Sequence, residues 1–273
     1  MHRDEAGEAI MPLPPCESTA VHLDIGVIYT DERQHMARLL ATLPGSALGL
    51  RARVILVDND SVEGVQPWRD CFQPLTILRN TRRLSYAANL NRICEAATAP
   101  FVLLLNTDVY FDPAEQCLAK MVAFMNAHPR CGVASCRIIH PDGSEAYAAR
   151  RFQTLRMIAA RRLGLSPLMK STIDRYLYRE FDVRDVFACD WVSGCFLLAR
   201  RAAWQAVGGF DPGYQKYFED VDFCARLARS GWQVLYNGRT CAYHVEQRSS
   251  KRLFSLDAWR HGKSYLRWLR TSG

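Results

Sequence analysis

The sequence predicts an α/β chain whose core is a doubly wound, mostly parallel sheet flanked by helices, followed by a C-terminal helical extension. Short β-rich runs alternate with helical stretches from Val21 onward, as parallel strands joined by crossover helices require. Three polar clusters, Asp58-Asn59-Asp60-Ser61, Asn80 with its following loop, and Asn106-Thr107-Asp108, stand directly after such runs. Ligands of open parallel sheets collect at that end of the strands. A length of 273 residues, 49% hydrophobic and 23% charged, suits a folded domain with an ordinary surface.

In chain order, the β-rich runs predict strands over 23–29, 53–57, 75–78, 101–105 and 132–138. Helices are expected over 33–43, 85–97 and 114–126, the last opened by Pro113 at a first-turn position. The stretch 150–181 is basic and amphipathic with helical spacing, broken at Gly164 and Pro167, and carries little strand signal. A strand returns over 190–200, a helix follows from Arg201 and closes at Gly208-Gly209. A helix over 220–230, a strand over 233–235 and a tail helix over 255–270 complete the reading, the tail carrying Trp259, Tyr265 and Trp268. The expected organisation is a flexible segment 1–20, one domain over 21–248 with halves at about 21–140 and 141–248, and a helical tail 249–273.

No apolar run reaches the roughly 18 residues of a membrane span. The start carries Asp4, Glu5 and Glu8 without an apolar core, unlike a secretion signal, so a cytosolic protein is expected. The ten cysteines are scattered through apolar stretches and are expected as reduced thiols. Cys131 and Cys136 lack the second pair that a structural zinc site needs. A formal charge of +7 invites a nucleic-acid reading, but the arginines form no such motif. They gather at 150–162 and 251–270 among apolar residues, a pattern that fits either an anionic membrane surface or a solvated helix face.

Asp58 emerges at a strand tip, where its carboxylate can accept a ring N–H from uracil or thymine, or can cap a turn of its own backbone. Asp108 ends FVLLLNTD, placed either to bind a divalent cation that also holds a diphosphate or to cap the following turn. Glu219 and Asp220 open a helix, where carboxylates answer the helix dipole; Asp220 can also serve as a general base, with Glu219 orienting it or the acceptor. His244 follows one helix and one strand later, so the chain can return it to the same place as a metal or phosphate ligand or as a structural histidine.

The ordered series VILVDNDS, RNTRRLSYAANLN, LLLNTD, DWVSGCFLLARRAAWQAVGGFD and FEDVDFCARLARSGW, with the later Tyr243-His244, resembles family 2 glycosyltransferases of GT-A fold, a Rossmann-like architecture, and especially their bacterial rhamnosyltransferase-like branch. The resemblance spans roughly Asp24 to His244. It implies that Asp58 contacts the nucleobase and Asp108 a divalent metal, Mg or Mn, that Asp220 is the catalytic base, and that His244 is a late metal or phosphate ligand. Asn59, Asn80, Asn91 and Asn106 join the nucleotide-binding set, and Trp191, Ser193 and Gly194 line the sugar and acceptor pocket. The implied reaction is an inverting transfer from a dTDP- or UDP-linked sugar, dTDP-rhamnose favoured, to a glycan or lipid-linked glycan in surface polysaccharide or lipopolysaccharide synthesis, with no nucleic-acid partner.

Two positions depart from the family pattern. Asn106 replaces the first carboxylate of the D-x-D motif, which weakens metal binding unless His244 compensates. Ser85-Tyr86, preceded by Arg82-Arg83, stands where a Gly-Phe is usual, and the two arginines can hold phosphates or face solvent. A nucleotidyltransferase is disfavoured because GVIYTDER (26–33) supplies no glycine- and basic-rich phosphate loop. A donor-binding module without transfer is disfavoured by the retained Glu219-Asp220 pair.

Overall fold

The computed structural model describes residues 21–154, 169–245 and 256–271, with the backbone alone over 256–260. The expected flexible segment 1–20 and most of the basic stretch 150–162 lie outside the described residues, as does residue 251 onward to the tail helix.

Strands β1 (Leu23–Tyr29), β2 (Ala52–Asp58), β3 (Leu75–Arg79) and β4 (Phe101–Leu105) run parallel in the order β3-β2-β1-β4. The β-branched and leucine runs of β1, β2 and β4 are buried on both faces, which is why they read as continuous apolar segments rather than as alternating ones. Helix α1 (Arg33–Ser46) buries Met36, Leu39, Leu40 and Leu43 on one face of this half-sheet. On the other face lies α2 (Tyr86–Ala96), which buries Ala87, Leu90, Ile93 and Cys94. Its N-cap Ser85 accepts from the Ala88 N–H, a bond of the kind that contributes about 1 kcal/mol. Gly26 in β1 leaves room for the Ile93 side chain, which any Cβ there would strike.

The sheet then changes direction. Beyond β4 comes β10 (Phe196–Arg200), antiparallel to it, followed by β6 (Cys131–Ile139) and β11 (Gln233–His244), which run parallel to each other. The short strands β5 (Val109–Tyr110) and β8 (Val186–Ala188) pair antiparallel with β11. A separate two-stranded sheet joins β7 (Ala149–Arg150) to β9 (Trp191–Val192). Helices α3 (Cys117–Ala127), α4 (Lys170–Tyr176), α5 (Arg201–Ala206), α6 (Glu219–Arg229) and α7 (Leu256–Thr271) complete the described elements.

Four expectations need correction. The helix expected over 114–126 is a 3-10 turn at Pro113–Glu115 and a helix from Cys117, separated by Gln116 in the left-handed region at φ 48°. The strand expected over 190–200 is two strands, because Ser193-Gly194-Cys195 turns the chain from one sheet into the other. Arg150, expected in a helical stretch, pairs as a strand with Trp191. The strand expected over 233–235 runs through His244, since β6 offers it a partner along most of its length.

Candidate active site

Strand direction explains where the polar residues gather. The parallel strands β1, β2 and β4 end level with one another, Tyr29 beside Asp58 and Val27 beside Leu105. Because β10 is antiparallel, its first residue, Phe196, faces Leu105, so the Ser193–Cys195 turn before it stands at the edge where β4 finishes. The Asn106 N–H donates to the Cys195 carbonyl at 3.1 Å and joins the two loops. Strand β11 arrives at the same edge with His244, where β5 pairs Val109 with it.

At the nucleotide end, the Asp58 carboxylate is 93% buried, its exposure being 7%. Its Oδ1 accepts from the Ser61 N–H at 3.0 Å and the Ser61 hydroxyl at 2.7 Å, so the turn-forming role is real. Its second oxygen accepts no such bond among the described residues. Asn59 Oδ1 accepts from the Leu84 N–H at 2.9 Å and from Asn80 Nδ2 at 2.8 Å. Asn80 Nδ2 also donates to Asn89, at 2.7 Å. Asn59 and Asn80 therefore build the wall of this end through each other, and fully buried Asn89, which sequence reasoning passed over, is the third member. Asn91 stands apart from the convergence: both ends of its amide are taken by the Phe210 backbone at 2.8 Å, which ties α2 to the loop after α5. Arg83 pairs with Asp31 at 3.2 Å, and Arg82 is exposed.

Further along the edge, His244 Nε2 lies 3.1 Å from Asp108 Oδ1, with the two side chains 12% and 13% exposed. The Val245 N–H donates to the Asp108 carbonyl, and Tyr110 stacks on Tyr243 at 5.1 Å with the Arg38 guanidinium over the Tyr110 ring. These contacts fix the β5–β11 pairing that brings together residues 136 apart in sequence. A carboxylate oxygen beside an imidazole nitrogen fits a divalent cation such as Mg or Mn. Among the described residues no third His, Cys, Asp or Glu joins them, so the remaining ligands of such an ion would be oxygens of a diphosphate and water.

The reaction end opens on strained backbone. Tyr217 and Phe218, directly before α6, both occupy the left-handed region, at φ 71° and 72°. Such residues cost on the order of 1–3 kcal/mol each and persist only where their surroundings enforce them. Helix α7 does so here: the Phe218 ring packs on His261, Tyr265 and Trp268, and the Ser264 hydroxyl donates to the Lys216 carbonyl at 2.9 Å. The result turns the first residues of α6 back toward the sheet edge. Asp220 Oδ2 accepts from the Gly194 N–H at 2.9 Å and Oδ1 from the Val221 N–H at 2.9 Å. A Cβ at 194 would stand 3.3 Å from Asp220 Oδ2, so a side chain there would require the carboxylate to give way slightly.

Burial raises the carboxyls of both residues of the acidic pair. Glu219, 6% exposed and with Oε2 lacking any partner, is pushed up to about 8 by burial and by the neighbouring Asp220. Asp220 is raised by burial, with the Gly194 and Val221 N–H groups and the Arg150 guanidinium pulling the other way. Burial thus favours the protonated form of both carboxyls, while the Gly194 and Val221 N–H groups and Arg150 favour the charged form of Asp220. Arg150, which sequence reasoning left in a basic stretch, is held on β7 over the ring of buried Trp191, 5.2 Å from its centroid. Trp191 Nε1 donates to the Arg151 carbonyl, and the Ser193 N–H donates to the Ala148 carbonyl, so β7 positions this segment.

Elsewhere, a surface hollow of about 760 Å³ lined by Lys170, Asp174, Arg175, Arg179 and Glu180 shares no residue with this edge. The nine described cysteines are free thiols, in line with the reduced state expected. No helix among the described residues is long and apolar enough to cross a membrane.

A family model described as "Glycosyl transferase family 2" matches residues 25–204. An N-acetylglucosaminyl-diphospho-decaprenol L-rhamnosyltransferase of Mycobacterium tuberculosis is 29% identical over 231 residues, covering 80% of this chain and 74% of that protein. Rhamnosyltransferase WbbL of Escherichia coli is 38% identical over 80 residues, 29% of this chain and 30% of that one. Among solved structures, a Pyrobaculum calidifontis mannosyltransferase in complex with GDP-Man and Mn2+ superposes with a TM-score of 0.62 at 17% identity over 92% of this chain and 65% of its own. GalNAc-T7 with UDP, GalNAc and Mn2+ gives 0.61 at 14% identity, over 92% and 48%. The chain thus spans less than two thirds of either solved structure, and at these identities the likeness shows the GT-A fold.

Proposed function

We propose, from the premise that this chain belongs to glycosyl transferase family 2 and is a glycosyltransferase, that it moves a sugar from a nucleoside diphosphate to a glycan hydroxyl with inversion at the anomeric carbon. One observation carries this reading: Asp108, paired with His244, and Gly194, bonded to Asp220, belong to the two loops that the Asn106–Cys195 bond joins at one sheet edge. Asp58, at the tip of β2 on that edge, offers a carboxylate oxygen to the N–H edge shared by uracil and thymine. Asp108 and His244 would hold a divalent ion, Mg or Mn, which would supply neutralisation of charge on the departing diphosphate. Asp220 takes the acceptor proton, and the acceptor oxygen attacks the anomeric carbon from the face opposite the leaving group. Glu219 keeps its proton beside the base and donates to Asp220 or to the acceptor.

dTDP-rhamnose is the favoured donor, supported by the likeness to the mycobacterial and E. coli rhamnosyltransferases, and a lipid-linked glycan is the favoured acceptor. The work would take place in the cytoplasm, with peripheral contact at an anionic membrane face. Helix α7 suits that contact, since its outer side exposes Leu266, at 57%, and Leu269, at 41%, beside Arg270.

A thermal-shift panel of nucleotide sugars, run with and without manganese and with anionic vesicles, tests these statements together, because a ligand of the folded state raises the melting temperature. The largest shift is expected with dTDP-rhamnose and manganese; equal shifts with and without the ion would remove the metal role. A profile unmoved by vesicles would remove the membrane contact. NMR of the product then reads the anomeric configuration, and a retained configuration would end the single-displacement mechanism.

A further inference from the structure

Tyr86 has no part in the chemistry just described, yet it touches both loops that carry it. It is the first residue of α2, partly buried, at the position where the family pattern has a phenylalanine. Its hydroxyl donates to Asn106 Oδ1 at 2.9 Å and lies 3.3 Å from the Gly194 carbonyl oxygen. Asn106 begins the loop that ends in Asp108, and the Gly194 N–H is the donor that holds Asp220 Oδ2. The same turn of chain is anchored from the nucleotide end, since Leu84 is bonded to Asn59. Burial of the phenol, with the charges of Glu219, Asp220 and Asp108 around it, drives its acidity far below that of an ordinary tyrosine. It therefore remains a neutral hydrogen-bond donor across the working pH range and cannot itself act as the base.

We propose that Tyr86 is a positioning residue of the transfer step: its hydroxyl holds the Asn106–Asp108 loop and the Ser193–Cys195 turn in register, so that Gly194 stays on Asp220. The asparagine at 106 takes part in this arrangement. Its amide oxygen is occupied by Tyr86, which assigns Asn106 to loop geometry and leaves the cation to Asp108 and His244. The proposal rests on the reading of Asp220 as the base and adds the device that keeps it in place.

The groups that face Asp220 are Glu219 on its own helix, Tyr86 on α2, Cys195 beside Gly194, Cys224 and Arg150 on β7. Cys195 and the Gly194 N–H both belong to the turn that Tyr86 holds, and the Gly194 N–H is the one that hydrogen-bonds Asp220. Losing that N–H removes a bond to the charged form of Asp220, so its carboxyl rises and the acid limb of the rate profile moves to higher pH.

The test is Tyr86→Phe, which keeps the ring and its packing. We expect kcat to fall by about 10- to 100-fold, the scale of a small misplacement at the reacting centre. The acid limb of kcat should move up, while the manganese-dependent thermal shift produced by dTDP and UDP stays at its parental size. A lower melting temperature with kcat and its acid limb unmoved would overturn the proposal, since a merely structural tyrosine behaves that way. If Tyr86→Phe does not fold, Asn106→Ala removes one arm of the clamp and must show the same pair of effects in weaker form. Asp220→Asn, assayed in parallel, separates the two readings: substantial activity there removes the base itself, whereas an inactive Asp220→Asn with an unaffected Tyr86→Phe removes only the clamp.

Discussion

The nucleotide end and the reaction end of this sheet edge are built over very different distances in sequence. Around Asp58, the network runs 58 to 61, 59 to 84, 59 to 80 and 80 to 89, all within two strand tips and the first turns of one helix. Around Asp220, the bonds run 86 to 106, 86 to 194, 194 to 220 and 108 to 244. The nucleotide end is a local structure that any correctly wound β-α-β unit supplies, and its polar groups largely satisfy one another. The reaction end exists only when β10 inserts antiparallel, β11 extends to meet β5, and α7 packs against Phe218. Each end keeps one buried polar atom without a hydrogen-bond partner among the described residues, Asn80 Oδ1 at the first and Glu219 Oε2 at the second, where it belongs to an acidic pair. On the proposed reading, binding falls to the locally built end and chemistry to the end that depends on long-range assembly.

Three substitutions sharpen or break this contrast. The largest effect is expected from Asp220→Asn, which keeps the shape and removes the base: kcat should drop by about 10² to 10⁴ while donor affinity hardly changes. Steady-state kinetics beside donor titration checks it, and a loss confined to donor affinity would merge the two ends into one.

Asp58→Ala should do the reverse. A hydrogen bond from a charged group contributes about 1.5–3 kcal/mol, so the donor KM should rise by roughly tenfold or more with kcat nearly kept. Discrimination between uracil or thymine donors and their N3-methylated forms should vanish with it. An unchanged KM would take the nucleobase contact away from β2.

The smallest effect is one of stability. Burial and Asp220 raise the Glu219 carboxyl from 4.5 to about 8 in the folded chain, so between those values the folded protein binds a proton that the unfolded chain has lost. Its contribution is complete below the lower value and disappears as pH rises through the upper one. Glu219→Gln, permanently neutral, should therefore melt a few degrees above the parent at about pH 9 and gain nothing at about pH 5. Equal melting curves at the higher pH would mean that folding does not raise the Glu219 carboxyl and that the reaction end carries no such strain.

Much of the nucleotide half was legible because its signals are local. The apolar runs that became β1 and β4 begin and end where the sequence says, since a strand buried on both faces leaves no ambiguity about its polar boundaries. Ser85 caps α2 as its type predicts. The acidic pair at the start of α6 was equally visible, because carboxylates at a helix N-terminus are a local feature. The Asn59–Asn80–Asn89 network was only half visible. Asn89 reads as one more residue of an amphipathic helix until the fold shows that it is buried and bonded. Arg150 was misplaced for a related reason: a single arginine between apolar residues fits a helix face or a two-residue strand, and only its pairing with Trp191 decides.

By itself, the amino-acid sequence determined the α/β class, the strand tips that carry Asp58 and Asp108, and the residue types that the chemistry needs. These depend on periodicity, capping and apolar content, all expressed within one element. The tertiary structure alone decided that β10 runs against its neighbours, that Gly194 meets Asp220, that His244 meets Asp108, and that Tyr86 spans two loops. Each of those is a contact between residues far apart along the chain, chosen by which strand edges and helix faces find partners, and no single segment contains that information.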